Sequence, residues 1–141
     1  MPTLQLKLYP PMPDEVQATL ARELTALTAE QLGKRAEVTA LMIECLPAPR
    51  WHIGGQPPRG PTAWLEVSIT AGTNTAAEKA AFIEAAFALL RRRLAGAGRL
   101  EEASYVSVHE LPATDWGYGG RTQAARQAAR TAQQVGLAQV K

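Results

Sequence analysis

The chain has few of the residues that mark specialised protein classes. Its 141 residues include a single cysteine, Cys45, so no internal disulfide can form, which fits a reducing compartment. No apolar run approaches the roughly 20 residues that a membrane-spanning helix needs. The first residues lack a basic stretch followed by an apolar one, so no secretory signal is predicted. We therefore expect a cytoplasmic protein with no membrane partner.

Charge of one sign is also scarce. The 15 Lys and Arg residues against 13 Asp and Glu residues leave a net charge of +2, and 46% of the chain is hydrophobic. This profile is typical of a globular protein and excludes a disordered chain. From Arg121 onward there are no acidic residues, only an Ala/Gln/Arg-rich tail. Because a nucleic-acid binder usually carries its basic patch in the folded body, we expect a solvated or frayed terminal helix and no nucleic-acid partner.

The two histidines give no sign of a metal site. His52 and His109 lack the spacing to other His, Asp or Glu residues that metal ligands show. No metal and no cofactor are predicted.

Hydrophobic spacing in the first half predicts a strand, a helix and a strand. Residues alternate between apolar and polar from Thr3 to Leu8, as in a half-buried strand. A helix is predicted after Pro13, ending near Gly33. Val38 to Leu46 is almost continuously apolar, which predicts a strand covered on both faces.

The second half repeats this order. A strand with alternating residues follows Pro61, and Thr75 with Glu78 forms a possible capping box for the next helix. The apolar face of that helix is predicted from four residues at helical spacing: Ile83, Phe87, Leu90 and Leu94. Tyr105 to Leu111 is the fourth predicted strand.

The two halves are also related in sequence. Residues 46–55 read LPAPRWHIGG and residues 111–120 read LPATDWGYGG, with six identities in ten positions. Pro2-Thr3 begins the first strand as Pro61-Thr62 begins the third. A duplicated βαβ unit of about 60 residues explains both matches.

This duplication predicts an α+β fold of tandem βαβ units. The expected modules are residues 1–59 and 60–121, followed by a tail at 122–141. Such a pair gives a four-stranded sheet with both helices on one face. The other face then needs a partner, which favours an oligomer.

The pattern resembles the tautomerase superfamily, typified by 4-oxalocrotonate tautomerase. The features that match are Pro2 before an alternating strand, an acidic helix start, Glu44 near the end of the second strand, and an aromatic residue shortly before Gly-Gly. The length and the two modules are similar to fused members, which include cis-3-chloroacrylic acid dehalogenase and malonate semialdehyde decarboxylase. The resemblance implies a homotrimer.

Position 2 gives this chain a possible general base. If Met1 is removed, Pro2 becomes a terminal secondary amine, and desolvation or nearby cations lower the pKa of such an amine. A neutral amine near pH 7 can move a proton between two atoms of an enolisable keto acid. Pro61 cannot do so, because its nitrogen is part of a peptide bond.

The resemblance also implies an aromatic residue beside Pro2, contributed by the other module. We therefore expect Trp116, rather than Trp51, near Pro2. Arg50 and Arg121 flank the two repeated motifs and are candidate carboxylate-binding residues. Tyr118 completes the predicted substrate-binding set.

Several residues depart from the family pattern. Where family members have substrate-binding arginines, this chain has other residues: Met12-Pro13, Thr39 or Ala40, and Thr70 with Thr73. The histidine, tyrosine and glutamate of the dehalogenase fall near Thr28, Ser107 and Tyr118. The hydratase-dehalogenase set and the decarboxylase arginine pair are therefore missing.

We expect a tautomerase in which Pro2 is the general base and small 2-oxo or enol acids are substrates. Hydration, dehalogenation or decarboxylation by the same proline is the nearest alternative. A non-catalytic trimeric ligand-binding protein is a second alternative, favoured by the missing arginines. A ferredoxin-like RNA- or metabolite-binding domain has the same element order, but it leaves the repeated motif unexplained.

Overall fold

A computed structural model describes the backbone of residues 1–140 and the side chains of residues 1–137. Lys141, which belongs to the predicted tail, lies outside the described residues. The elements in chain order are β1 (Thr3–Tyr9), α1 (Asp14–Leu32), β2 (Ala40–Cys45), β3 (Thr62–Thr70), α2 (Ala76–Ala95), β4 (Tyr105–Leu111), β5 (Gly117–Tyr118), β6 (Arg121–Thr122) and α3 (Gln123–Val140). Short 3-10 turns occur at Ala36–Val38 and Ala48–Arg50.

The main sheet has the strand order β2-β1-β3-β4. β1 pairs in parallel with β2, β3 pairs in parallel with β4, and the two central strands β1 and β3 are antiparallel. The register pairs Thr3 with Ser68 and Tyr9 with Thr62. The start of β1 therefore lies beside the end of β3. Residues of the second half of the chain thus surround the N-terminal end of the first half. The predicted α+β fold is confirmed.

One face of the sheet carries the core. The alternating residues of β1 and β3 point to this face, where they pack against α1 and α2. The buried side chains include Leu4, Leu6, Leu8, Leu20, Leu24, Leu65, Val67, Ile69, Phe82, Ala86 and Leu90. Both main helices therefore cover the same side of the sheet, as the sequence predicts.

Helix ends follow the local sequence. Gly33 caps the C-terminal end of α1. Its φ of +66° is left-handed, and its N–H donates to the carbonyl of Ala29. The capping box of α2 is confirmed, because the Thr75 hydroxyl accepts from the Glu78 N–H and the Glu78 carboxylate accepts from the Thr75 N–H. Such caps stabilise a helix by about 1 kcal/mol.

Two details of the sequence prediction are wrong. β2 is shorter than predicted and is not covered on both faces, because it lies at the sheet edge with residues alternating between exposed and half-buried. Ile83 is 39% exposed, whereas Leu90 and Leu94 are buried as predicted; Phe82, Ala86 and Leu89 complete the core side of α2.

The opposite face of the sheet is open and partly apolar. Met42, Trp64 and Tyr105 are 60%, 41% and 58% exposed there. The rings of Trp64 and Tyr105 lie 5.4 Å apart on neighbouring strands. We call these three residues the open-face cluster. It belongs to the surface that the sequence predicts to need a partner.

Within residues 1–140, no helix has both the length and the apolar character that a membrane crossing requires.

Candidate functional site

A cavity of about 240 Å³ lies at the start of the chain. It forms where three parts of the fold meet: the chain terminus, the turn after α1 together with the end of β3, and the side of α3. The residues that line it are Met1, Gly33, Lys34, Arg35, Thr70, Thr73, Gln123, Gln127 and Arg130. We call it the N-terminal pocket.

Hydrogen bonds fix the wall made by the turn after α1 and the loop after β3. The Thr73 hydroxyl donates to the Thr70 carbonyl at 2.6 Å, and Lys34 Nζ donates to Thr73 Oγ1 at 2.8 Å. The Asn74 amide donates to the carbonyl of Leu32, the last residue of α1, at 2.9 Å. The Lys34 ammonium is therefore held beside the terminus by both elements.

The opposite wall is the start of α3. The backbone N–H of Gln123 donates to the Trp116 carbonyl at 2.9 Å, and that of Ala124 donates to the Ala113 carbonyl at 2.8 Å. These bonds attach the first turn of α3 to the repeated motif after β4. Gln123 is buried at 3% exposure although its side chain is polar.

The terminal amine sits in an environment that disfavours its charged form. Burial lowers the pKa of the Met1 amine below its ordinary value, and the positive charges of Lys34, Arg130 and Arg35 lower it further. Burial also lowers the pKa of the Lys34 ammonium, while the carboxylate of Glu78 acts in the opposite direction. An amine in this pocket is therefore neutral, and able to accept a proton, at a lower pH than a solvated one.

We expect the Lys34→Gln variant to have a terminal amine with a higher pKa than the wild type, because one of the repelling charges is removed. The pKa is measured from the pH dependence of acetic anhydride labelling of the amine, followed by mass spectrometry. Arg22→Gln is the matched control, since Arg22 lies exposed on α1 and bonds Thr19, one turn earlier on the same helix. An unchanged or lower amine pKa in Lys34→Gln contradicts the conclusion that the Lys34 charge lowers the pKa of the terminal amine.

The predicted site residues are distributed over three places. Pro2 is buried directly beside the N-terminal pocket, and its nitrogen is an amide while Met1 precedes it. Trp116 borders the same region, because its indole Nε1 donates to Thr70 Oγ1 at 3.3 Å and Thr70 lines the pocket. Trp51 instead lies in a depression with Lys7 and Trp64.

Arg121 and Tyr118 belong to the small β5–β6 hairpin. Arg121 lines a shallow depression with Trp116, next to the N-terminal pocket but separate from it. The Tyr118 ring is covered by Arg126, whose guanidinium carbon lies 3.8 Å from the ring centre. Arg126 also donates to the Tyr118 carbonyl at 2.9 and 3.3 Å.

Arg50 is not part of the N-terminal pocket of its own chain. It lines the depression with Trp51 and His52, near the end of β1 rather than its start. That Arg50 or Arg121 binds a substrate carboxylate stays a prediction.

The sequence did not predict the cations that line the pocket. Lys34 and Arg35 follow α1 directly, and Arg130 lies in what was predicted to be a solvated tail. Thr70 and Thr73, which stand where dehalogenase-like proteins have arginines, do lie in this pocket. Two basic residues directly after the glycine that ends α1 were the available signal for Lys34 and Arg35.

Among the described residues, no group of three or more His, Cys, Asp or Glu side chains could hold a metal ion.

No protein-family model and no curated protein sequence matches the chain. Solved structures do match. A fused 4-OT wild type, described as an asymmetric trimer, has a TM-score of 0.76 and 28% identity over 88% of this chain and 98% of its own. Another, described as native fused 4-OT, has a TM-score of 0.74 and 29% identity over 87% and 97%. A member of the cis-3-chloroacrylic acid dehalogenase family shares the fold, with a TM-score of 0.74 and 21% identity over 85% and 82%.

These comparisons confirm the resemblance to fused members of the tautomerase superfamily. The match spans nearly the whole length of both fused 4-OT chains, so it includes both halves of this one.

Proposed function

We propose that this protein is a tautomerase in which Pro2, exposed by removal of Met1, acts as the general base. It takes a proton from one atom of a small 2-oxo or enol acid and returns it to another, with no net change in composition. The observation that carries this proposal is the N-terminal pocket, where burial and three cations surround the Met1 amine, directly before Pro2. The similarity to fused 4-OT structures supports the same reaction class.

The residues in and beside the pocket have separate roles in the proposed reaction. The cations lower the pKa of the amine, so that a larger share of it is neutral and basic at a given pH. They also stabilise the negative charge that develops on the enolate oxygen. Trp116 donates a hydrogen bond to Thr70 at the pocket edge, and we expect its ring to shield that side of the pocket from water. Tyr118, Arg121 and Arg50 stay candidate substrate-binding residues.

We further propose that the protein acts as a homotrimer. Two similar fused 4-OT structures are described as asymmetric trimers and one as a symmetric trimer. In this chain the open-face cluster leaves apolar area that the two main helices do not cover. Association through that face would bury it.

The proposed function is tested with protein whose first residue is Pro2, verified by intact mass. Ketonisation of phenylenolpyruvate and of 2-hydroxymuconate is followed by ultraviolet absorbance, with buffer as the blank. We expect rates well above the blank on at least one of them. Rates equal to buffer on both substrates contradict the proposal and favour the non-catalytic ligand-binding alternative.

A further inference from the structure

Three side chains of α3 form a polar stripe along the N-terminal pocket. Gln123, Gln127 and Arg130 are spaced by four and three residues, which places them on one side of a helix, and all three line the cavity. The helix therefore contributes more to this cavity than its first turn. Two amide side chains and a guanidinium face a small space beside the terminal amine.

The charge of this pocket is not balanced by its own lining. Lys34, Arg35 and Arg130 are all basic, and no carboxylate is among the lining residues. Arg35 has a partner, the exposed Glu37, at 2.9 Å. Lys34 is bonded to a neutral hydroxyl, and among the side chains of residues 1–137 no carboxylate lies within ion-pair distance of Arg130. Such a pocket attracts an anion from solution.

The second half of the chain offers an internal comparison. The alignment of the repeated motifs pairs Lys34 with Arg99, Arg35 with Leu100 and Ala36 with Glu101. A cavity of about 380 Å³ exists at the corresponding place of the second half. It is lined by Arg59, Gly60, Arg99, Leu100, Glu101 and Glu102.

In that second cavity the chain supplies its own anion. One carboxylate oxygen of Glu101 accepts from the backbone N–H groups of Arg59 and Gly60, at 2.9 and 3.0 Å. The corresponding residue in the first half is Ala36, which has no charge to offer. The two halves thus differ in two respects that matter for ligands: the first has an added cation, Arg130, and lacks the internal carboxylate.

We propose that Arg130 and Gln127 of α3, together with Lys34, form the binding site for a carboxylate group of the ligand in the N-terminal pocket. The guanidinium of Arg130 and the amide of Gln127 donate hydrogen bonds to the carboxylate oxygens, and Lys34 supplies charge from the opposite wall. That the ligand is a substrate rests on the proposed function; that the site binds a carboxylate does not.

The test is the binding of fumarate, a dicarboxylate with no enolisable position, measured by calorimetry on the protein beginning at Pro2. We expect wild-type binding that weakens at least about tenfold in Arg130→Ala, the loss expected for a charge-assisted hydrogen bond. Arg22→Ala, with the same change at an exposed site on α1, should bind like wild type. The uncharged diamide of fumaric acid should not bind.

A second pair of variants tests the comparison between the halves. Ala36→Glu places a carboxylate where Glu101 stands in the second half, and it should abolish fumarate binding by occupying or neutralising the pocket. Ala36→Gln has the same shape without the charge and should keep binding. Ala36 is exposed, so neither change removes core packing. Thermal unfolding of each variant separates a lost site from a lost fold.

Three outcomes overturn the proposal: wild type that does not bind fumarate at millimolar concentration, Arg130→Ala that binds like wild type, or Arg22→Ala that loses as much affinity as Arg130→Ala. Fumarate binding that depends on Arg130 in a protein with no ketonisation activity supports this proposal while contradicting the proposed function. Where activity exists, Arg130→Ala should raise KM more than it lowers kcat, since the pocket still holds the amine.

Discussion

A chain whose Pro2 nitrogen is blocked is expected to lose its proposed activity by about 10²- to 10⁴-fold, the usual contribution of a general base. The block can be retained Met1 or chemical acetylation. In both cases the nitrogen becomes an amide, whose lone pair is delocalised into the carbonyl and does not accept a proton. The measurement compares kcat/KM for phenylenolpyruvate between blocked and unblocked protein of verified mass.

Pro61 provides the matched control for this experiment. It begins β3 as Pro2 begins β1, but its nitrogen lies within the chain. Pro61→Ala should therefore keep the wild-type rate. An N-acetylated protein that is as active as the free one would exclude Pro2 as the base.

The pH dependence of the unblocked protein gives a second check. The base must be neutral, so kcat/KM should rise with pH through the pKa of the amine. Burial and the charges of Lys34, Arg130 and Arg35 lower the pKa of the Met1 amine, and the same charges should act on the Pro2 nitrogen once Met1 is removed. The rise should consequently have its midpoint below the ordinary value for a chain terminus, about 8. A midpoint above that value would contradict the electrostatic account of the pocket.

The Met42→Asp variant is expected to dissociate the proposed trimer. Met42 is 60% exposed on the edge strand β2, so the change removes little core packing within one chain. In a trimer formed through the open face, each of the three copies would bury an unpaired carboxylate, which costs several kcal/mol per ion. Since 1.4 kcal/mol corresponds to tenfold in affinity, association should weaken more than 100-fold.

Light scattering at micromolar concentration measures this effect. Wild type should have the mass of three chains and Met42→Asp that of one, 15.2 kDa. Ile83→Asp is the control, because it makes a similar change at a 39% exposed residue on α2, away from the open face. A monomeric wild type contradicts the trimer, and a trimeric Met42→Asp contradicts the role of this face.

Most of the fold could be predicted because local and repeated signals agree. The alternation in β1 and β3, the capping box at Thr75 and the glycine after α1 each define an element from nearby residues. The repeated LPA-x-x-W motif then indicates that the two halves are related βαβ units that form one sheet. The predicted burial of β2 was wrong because an apolar strand at a sheet edge has the same composition as a central one; position in the sheet depends on all the other strands.

The division into residues 1–59, 60–121 and 122–141 stays a prediction.

The site was less predictable because its walls are distant in sequence. Lys34 and Arg130 are separated by 96 positions, and the sequence around one of them does not indicate that it contacts the other. The charge and small residues of the tail predict a solvated helix, and they describe its exposed side correctly. The stripe that faces the pocket consists of Gln123, Gln127 and Arg130, residue types that are equally common on exposed helices. Only the backbone bonds of α3 to Ala113 and Trp116 fix where that stripe lies.

The packing of Met1 and α3 around one pocket has a consequence for maturation. Met1 lines the pocket together with Gln127 and Arg130, which follow it in the sequence by more than 120 residues. An aminopeptidase acting during translation therefore meets an unstructured terminus, while one acting after release meets a half-buried amine against α3. Maturation before α3 is made would leave Pro2 as the first residue when α3 packs beside it.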